Sequence, residues 1–271
     1  MTVADLLRVA PGTTPDLAAI DTGGTPGFDG DKAAARARLK ELRSELEAFQ
    51  EKLWAEGAQS LLIVLQALDA GGKDGLIRKV ITAFNPQGTR VTGFGVPSEE
   101  ELRHDFLWRV HAAAPGKGRV GVFNRSHYED VLVVRVKELV PESVWQDRYE
   151  RINAFEAHLA ANGTRIVKLY LHISRDEQRT RFQKRLDNPE KNWKWDSGDL
   201  ETREKWPAFQ AAYTDALARC STDVAPWYVI PADRKWYRDL AAAEILAEAA
   251  HEMDPHWPES KEDLSAVVIA D

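Results

Sequence analysis

The chain has 271 residues, long enough for one large α/β domain or two small ones, with 36 Lys and Arg against 43 Asp and Glu. The resulting net charge of −7 excludes a broad basic surface coating duplex nucleic acid, and 44% hydrophobic with 29% charged residues excludes wholesale disorder. A single cysteine, Cys220, excludes an internal disulfide framework and any multi-cysteine metal site.

Taken in chain order, residues 1–31 are expected to form an irregular arm, because Pro11, Gly12, Pro15, Gly23, Gly24, Pro26, Gly27 and Gly30 interrupt any regular pattern. Leu39, Leu42, Leu46, Phe49 and Leu53 then recur at helical spacing, which predicts a helix over 32–56 with Asp31 as N-cap and Gly57 as stop. SLLIVLQAL (60–68) is a continuous apolar run, the mark of a strand buried on both faces. Further strands are expected at 90–94, 119–123, 164–173 and 226–232. Helices are expected at about 75–84, from a Ser98/Glu101 capping box to His111, and around 127–137, 141–161, 174–186, 199–219 and 233–252. Strands alternating with helices predict a parallel five-stranded sheet covered on both faces. The longest apolar run, 61–65, is too short for a bilayer span, and the first residues lack the basic start and apolar core of a signal peptide. A cytoplasmic protein without a membrane partner is therefore expected.

The strongest local signal is LQALDAGGKDG, residues 65–75. A strand end, a glycine pair, a lysine and a helix start suit phosphate: the amides of Ala70, Gly71, Gly72, Lys73, Asp74 and Gly75 would face the anion, and Lys73 would add charge. Against the Walker A pattern, Gly72 and Lys73 fit, but Ala67 stands where the first Gly belongs and Asp74 replaces the Ser/Thr that ligates magnesium. Asp69, at the carboxyl end of a central strand, is the natural substitute as metal ligand or as the group orienting an attacking oxygen. The competing reading is a turn with a solvated lysine and an Asx cap. Gly116, Gly118 and Gly121 also match G-x-G-x-x-G, but they lead into a strand instead of opening a helix, so they read as a loop.

A second strand end carries Asn124, Arg125, Ser126, His127, Glu129 and Asp130. Arg125 suits bidentate contact with a phosphoryl group, and Glu129 with Asp130 would complete a magnesium shell; the helix dipole alone also favours acids there. His127 has no partner at ligand spacing and reads as structural. Residues 168–194 hold eight basic residues against four acidic ones. Within them Arg181 and Arg185 stand four apart, a spacing suited to successive phosphates, in a segment placed where lids close over phosphates; a solvated basic helix is the alternative.

Together, DAGGKDG (69–75), NPQG (85–88), PSEEELRHDFLWR (97–109), FNRSHYEDVL (123–132), LDNPEKNWKW (186–195) and APWYVIPADRKWYR (225–238) resemble the family-2 polyphosphate kinases over residues 32 to 252. The resemblance implies a thymidylate-kinase-like P-loop fold over 32–253 with a helical lid at about 174–206, followed by a tail at 254–271. It implies phosphoryl transfer between inorganic polyphosphate and adenine or guanine nucleotides, with Mg²⁺ or Mn²⁺, in a homodimer or homotetramer without nucleic acid. Asp69, Gly72 and Lys73 match the family's Walker A residues, Asn124 and Arg125 its Walker B position, Glu129 and Asp130 the acids after it, and Arg181, Arg185, Lys191 and Lys194 its basic lid. The catalytic set is then Asp69, Lys73 and Arg125, the metal set Asp69, Glu129 and Asp130, and Arg78, Lys79, Lys191 and Lys194 follow the polyphosphate chain. Asn124 resembles the subgroup that accepts nucleoside monophosphates and diphosphates alike, and an amide repels a nucleotide phosphate less than a carboxylate would. The rival readings are an ATP-dependent nucleoside monophosphate kinase and a non-catalytic polyphosphate-binding protein. The acidic total is no objection, since residues 252–271 hold six acids against one lysine, away from the expected site.

Overall fold

The computed structural model describes residues 1–262, 264, 267 and 269. A short helix, α1 (Val3–Leu7), stands within the arm expected to be irregular, because Thr2 and Asp5 form a reciprocal capping box. The following segment crosses the sheet edge, where Val9 N–H donates to the Trp227 carbonyl at 2.9 Å. The next helix, α2 (Lys32–Glu56), has the expected ends: Asp31 accepts the N–H groups of Ala33 and Ala34, and Gly57 closes it in the left-handed region.

Five parallel strands, β1 (Ser60–Gln66), β2 (Thr89–Gly93), β3 (Val120–Asn124), β4 (Thr164–His172) and β5 (Trp227–Pro231), form one sheet in the order β2-β3-β1-β4-β5. Every residue of β1 is buried, which is why its sequence runs apolar without alternation. β1 lies between β3 and β4, so the strand order reverses there. The ends of β1, β3 and β4 open onto one crevice, the place where such sheets bind ligands. Leu65 is in register with both Asn124 and Leu169, which brings these ends level.

The remaining helices are α3 (Lys73–Lys79), α4 (Trp108–Ala113), α5 (Val133–Val136), α6 (Glu142–Ala161), α7 (Arg175–Leu186), α8 (Gly198–Glu204), α9 (Trp206–Cys220) and α10 (Lys235–Met253). One core joins one sheet face to α2, α3 and α10; a second joins the opposite face to α4, α6 and α9. Among the described residues no helix is long and apolar enough to cross a membrane.

Four expected helices are shortened or interrupted. α3 begins two residues early and gives way after Lys79 to a 3₁₀ turn at Ile81–Ala83. The Ser98/Glu101 capping box forms, but only a 3₁₀ turn follows it, since the Asp105 side chain caps Leu107 N–H at 2.9 Å and starts a new turn. The 127–137 stretch is a 3₁₀ turn at His127–Asp130 followed by the single turn α5. The 199–219 stretch divides into α8 and α9, because Pro207 lacks the N–H that a continuous helix needs and is tolerated only in a first turn. Of the tail expected at 254–271, residues 263, 265, 266, 268, 270 and 271 lie outside the described residues.

Candidate active site

The loop between β1 and α3 is held open by unusual backbone. Ala70 has φ +60° and Gly72 φ +108°, and a β-carbon on Gly72 would lie 2.1 Å from Arg238 Nη1. Glycine at 72 is therefore favoured by its backbone conformation, and a side chain there would also have to displace the Arg238 guanidinium. Lys73, the first residue of α3, is buried and donates to the Ala67 carbonyl at 2.8 Å. Burial, and secondarily the Arg125 charge, pull its ammonium below the ordinary lysine range, although Asp69, Glu129 and Asp74 pull the other way.

At the end of β3 the chain turns sharply through Arg125, a non-glycine residue at φ +63°. Its backbone N–H donates to the Leu65 carbonyl at 3.1 Å, and its guanidinium reaches across to Asp69 Oδ1 at 2.8 Å. Asp69, Lys73 and Arg125 are thus brought together as expected, with two cations and one carboxylate at the ends of neighbouring strands. Asn124 donates to Asp74 Oδ1 at 3.1 Å, which holds the α3 start against the β3 end. Strain of this kind persists where surrounding structure fixes it, and here it aims side chains at the crevice.

Glu129 and Asp130 do not act as a pair. Glu129 is partly buried beside Arg125, Lys73 and Gln66, and burial raises its carboxyl above the ordinary range despite those cations. Asp130 points elsewhere, accepting from Arg148 Nη1 at 3.0 Å and lying in the fields of Arg148 and Arg109. Neighbouring residues of a 3₁₀ turn leave its axis about 120° apart, so one of two adjacent acids must miss the site. Asp130, expected beside Glu129 in a metal set, is thus placed in an ion pair with Arg148.

The lid arginines also depart from the expected ladder. Arg181 is buried and donates to the carbonyls of Ala70 and Gly71 at 2.9 Å each and of Ala232 at 2.5 Å, while its Nε bonds Glu177 at 2.8 Å. It braces the phosphate loop from behind. Arg185 pairs with Asp199 on α8 at 2.9 Å, and Lys194 reaches Asp74 Oδ2 at 3.0 Å, joining lid to loop. Lys191, Arg78 and Lys79 are exposed.

Several groups of the site were not anticipated from sequence. Arg238 is buried against Gly72 and Gly75 and bonds Asp239 through Nε at 2.9 Å; burial and the nearby Arg181 and Arg78 lower its guanidinium in spite of Asp239. Gln178 donates to the Asp69 carbonyl at 3.0 Å. Asp199 is pushed up to about 6 by burial and by the Asp69 charge, which outweigh Arg185. Arg238 lies in the first turn of α10, the helix that follows β5, so the strand–turn–helix reasoning applied to residues 65–75 extends to the ADRKWYR segment.

Among the described residues no three His, Cys, Asp or Glu side chains gather as a metal cluster. Asp69 and Glu129, joined in one electrostatic neighbourhood, still suit a small hard cation, since Mg²⁺ commonly takes one or two carboxylates and completes its shell with waters and substrate phosphates.

Residues 29–258 match the family described as Polyphosphate kinase 2 (PPK2). The chain is 52% identical over 262 residues to an AMP/ADP-polyphosphate phosphotransferase of Meiothermus ruber, covering 97% of this chain and 98% of the relative. It is 43% identical to an ADP-polyphosphate phosphotransferase of Rhodopseudomonas palustris, covering 93% and 91%. Its fold superposes on the crystal structure of a polyphosphate kinase 2 from Arthrobacter aurescens with a TM-score of 0.95 at 43% identity, over 98% of this chain and 95% of that one. The phosphate loop, the sheet order and these relatives agree, and the chain belongs to the polyphosphate kinase 2 family.

Proposed function

We propose that this chain moves a phosphoryl group between inorganic polyphosphate and nucleotides, accepting both AMP and ADP. The observation that carries the reading is the convergence of Lys73 and Arg125 on Asp69, at the carboxyl ends of β1 and β3. In the synthetic direction a nucleotide phosphate oxygen attacks the terminal phosphorus of the chain; the new P–O bond forms as the bridging P–O bond breaks, and polyphosphate leaves one unit shorter. The acceptor phosphate is already ionised near neutral pH, so positioning and charge neutralisation dominate over proton abstraction. Lys73 and Arg125 neutralise the equatorial oxygens, and Asp69 orients the Arg125 guanidinium. The loop amides of residues 70–75 cradle the donor, while the exposed Arg78, Lys79 and Lys191 and the lid residue Lys194 meet the polyanion further along.

Family members are phosphotransferases that use a divalent metal, and here Asp69 and Glu129 would hold Mg²⁺ or Mn²⁺. Such an ion supplies Lewis-acid neutralisation of phosphate oxygens. In this reading residues 32–253 are the working unit, the protein is cytoplasmic, and it assembles as a homodimer or homotetramer. The acceptors are adenine or guanine nucleotides, and Asn124 suits a range of monophosphates and diphosphates because it adds no negative charge beside the incoming nucleotide.

Purified protein given polyphosphate, Mg²⁺ and AMP should form ADP and then ATP, read by nucleotide chromatography. Formation of ADP only when ATP replaces polyphosphate as donor would instead identify a conventional nucleoside monophosphate kinase. Tight polyphosphate binding with no nucleotide product would identify a non-catalytic binder.

A further inference from the structure

Beneath the turn that carries Arg125 and Glu129 lies a cluster of charged and polar side chains sealed from solvent. Glu156 on α6 is 1% exposed, Lys168 on β4 is fully buried, and so are His127 and Tyr128. Lys168 spends all three ammonium donors: on Glu156 Oε2 at 2.5 Å, on the Cys220 carbonyl at 2.6 Å and on the Tyr128 hydroxyl at 2.8 Å. The other carboxylate oxygen, Glu156 Oε1, accepts from the Tyr128 hydroxyl at 2.9 Å and lies 3.1 Å from His127 Nε2. Burial alone would raise the Glu156 carboxyl, but the Lys168 charge and the His127 hydrogen bond outweigh it and keep the group ionised.

A buried ion pair is a poor way to gain stability, because apolar residues of similar volume often serve as well. Its placement supplies a use. His127 and Tyr128 open the 3₁₀ turn directly after Arg125 and Ser126. Arg125 sits at φ +63°, a conformation that a residue with a β-carbon keeps only when its surroundings hold it. Gln66 Nε2 grips the turn from the side, donating to Ser126 Oγ at 3.2 Å, and Asp69 meets the guanidinium from above. Glu156 grips it from below through two consecutive side chains.

We infer that Glu156 is a positioning residue for phosphoryl transfer: by holding His127 and Tyr128 from the core, it fixes Arg125 and Glu129 at the mouth of the phosphate loop. Lys168 is the counter-charge that allows a carboxylate there. The inference rests on Arg125 being a working group of the site. The Arg125→Ala variant tests that separately, since an undiminished kcat would remove the site reading whatever the cluster does.

The experiment compares two double variants that both remove the buried charges, with melting temperature, kcat and the KM values for AMP and polyphosphate measured on each. E156Q/K168M keeps an oxygen acceptor for Tyr128 and His127, whereas E156L/K168M removes it. The first should stay within about threefold of wild-type kcat, and the second should lose at least about tenfold in kcat with both KM values within about twofold, as misplaced reacting groups do. Equal kcat in the two folded variants would show that the cluster only packs the core and would overturn the inference. Should either fail to fold, Tyr128→Phe decides, because it keeps the ring packed 4.8 Å from Trp227 and loses only the hydroxyl. A drop of about threefold or more in kcat at constant KM supports positioning, and an unchanged kcat refutes it.

Discussion

The phosphate loop and the lid both present basic side chains at spacings that suit phosphate, yet they use them in opposite ways. Lys73 and Arg125 both lie in the field of Asp69 on the crevice, and the Lys73 ammonium is tied to the Ala67 carbonyl. Arg181 spends its guanidinium on loop and β5-end carbonyls, and Arg185 is matched by Asp199. A guanidinium whose donors are spent on several protein partners, as in Arg181, is held as a brace, whereas Lys73 and Arg125 on the crevice keep donors to spare for the phosphate of the proposed reaction. Sequence spacing alone does not separate the two.

The comparison breaks most sharply at Lys73. Lys73→Ala should cut kcat by about a thousandfold or more, because a preorganised charge at the transferring group is lost, while far-ultraviolet circular dichroism stays unchanged. Arg125→Ala should follow with a loss of about a hundredfold in kcat and little change in melting temperature. Arg181→Ala should act mainly on stability, costing about 3 kcal/mol as buried loop carbonyls lose their donors, measured by denaturant unfolding. Arg181→Lys should not restore it, since an ammonium cannot span the carbonyls that the planar fork reaches.

A smaller effect is expected at Asp199, whose carboxyl is raised to about 6. In the unfolded chain this group ionises near its ordinary value, so between about pH 4 and 6 the folded state holds the extra proton and wild-type stability falls as pH rises. The gap between Asp199→Asn and wild type should therefore widen in the variant's favour across that window, by at most about 3 kcal/mol, in melts taken from pH 4 to 7. The smallest change belongs to Lys194→Ala. It removes a largely exposed pair with Asp74 and should alter stability by under about 1 kcal/mol, with its effect confined to the KM for polyphosphate.

What could be read from sequence was local. β1 announces itself because a strand buried on both faces has no polar side, α2 because Asp31 and Gly57 bracket one apolar stripe, and the phosphate loop because Gly72 meets a backbone requirement. The rest depends on contacts between distant segments. Arg181 acts on carbonyls about 110 residues away, which no spacing on its own helix reveals. Glu129 and Asp130 are indistinguishable as neighbouring acids until the turn sends one to Arg125 and the other to Arg148. Glu156 and Lys168 carry no motif, since each takes its meaning from the other across the core.

The division between ligand and brace is tested most directly by measuring melting temperature and steady-state kinetics together on Arg125→Ala and Arg181→Ala, with polyphosphate as donor and AMP as acceptor. Arg125→Ala should melt within about 2 °C of wild type and lose about two orders of magnitude in kcat, whereas Arg181→Ala should melt about 6 °C or more lower. An Arg181→Ala protein that melts like wild type but needs far more polyphosphate to reach half its rate would make Arg181 a phosphate ligand and contradict the account.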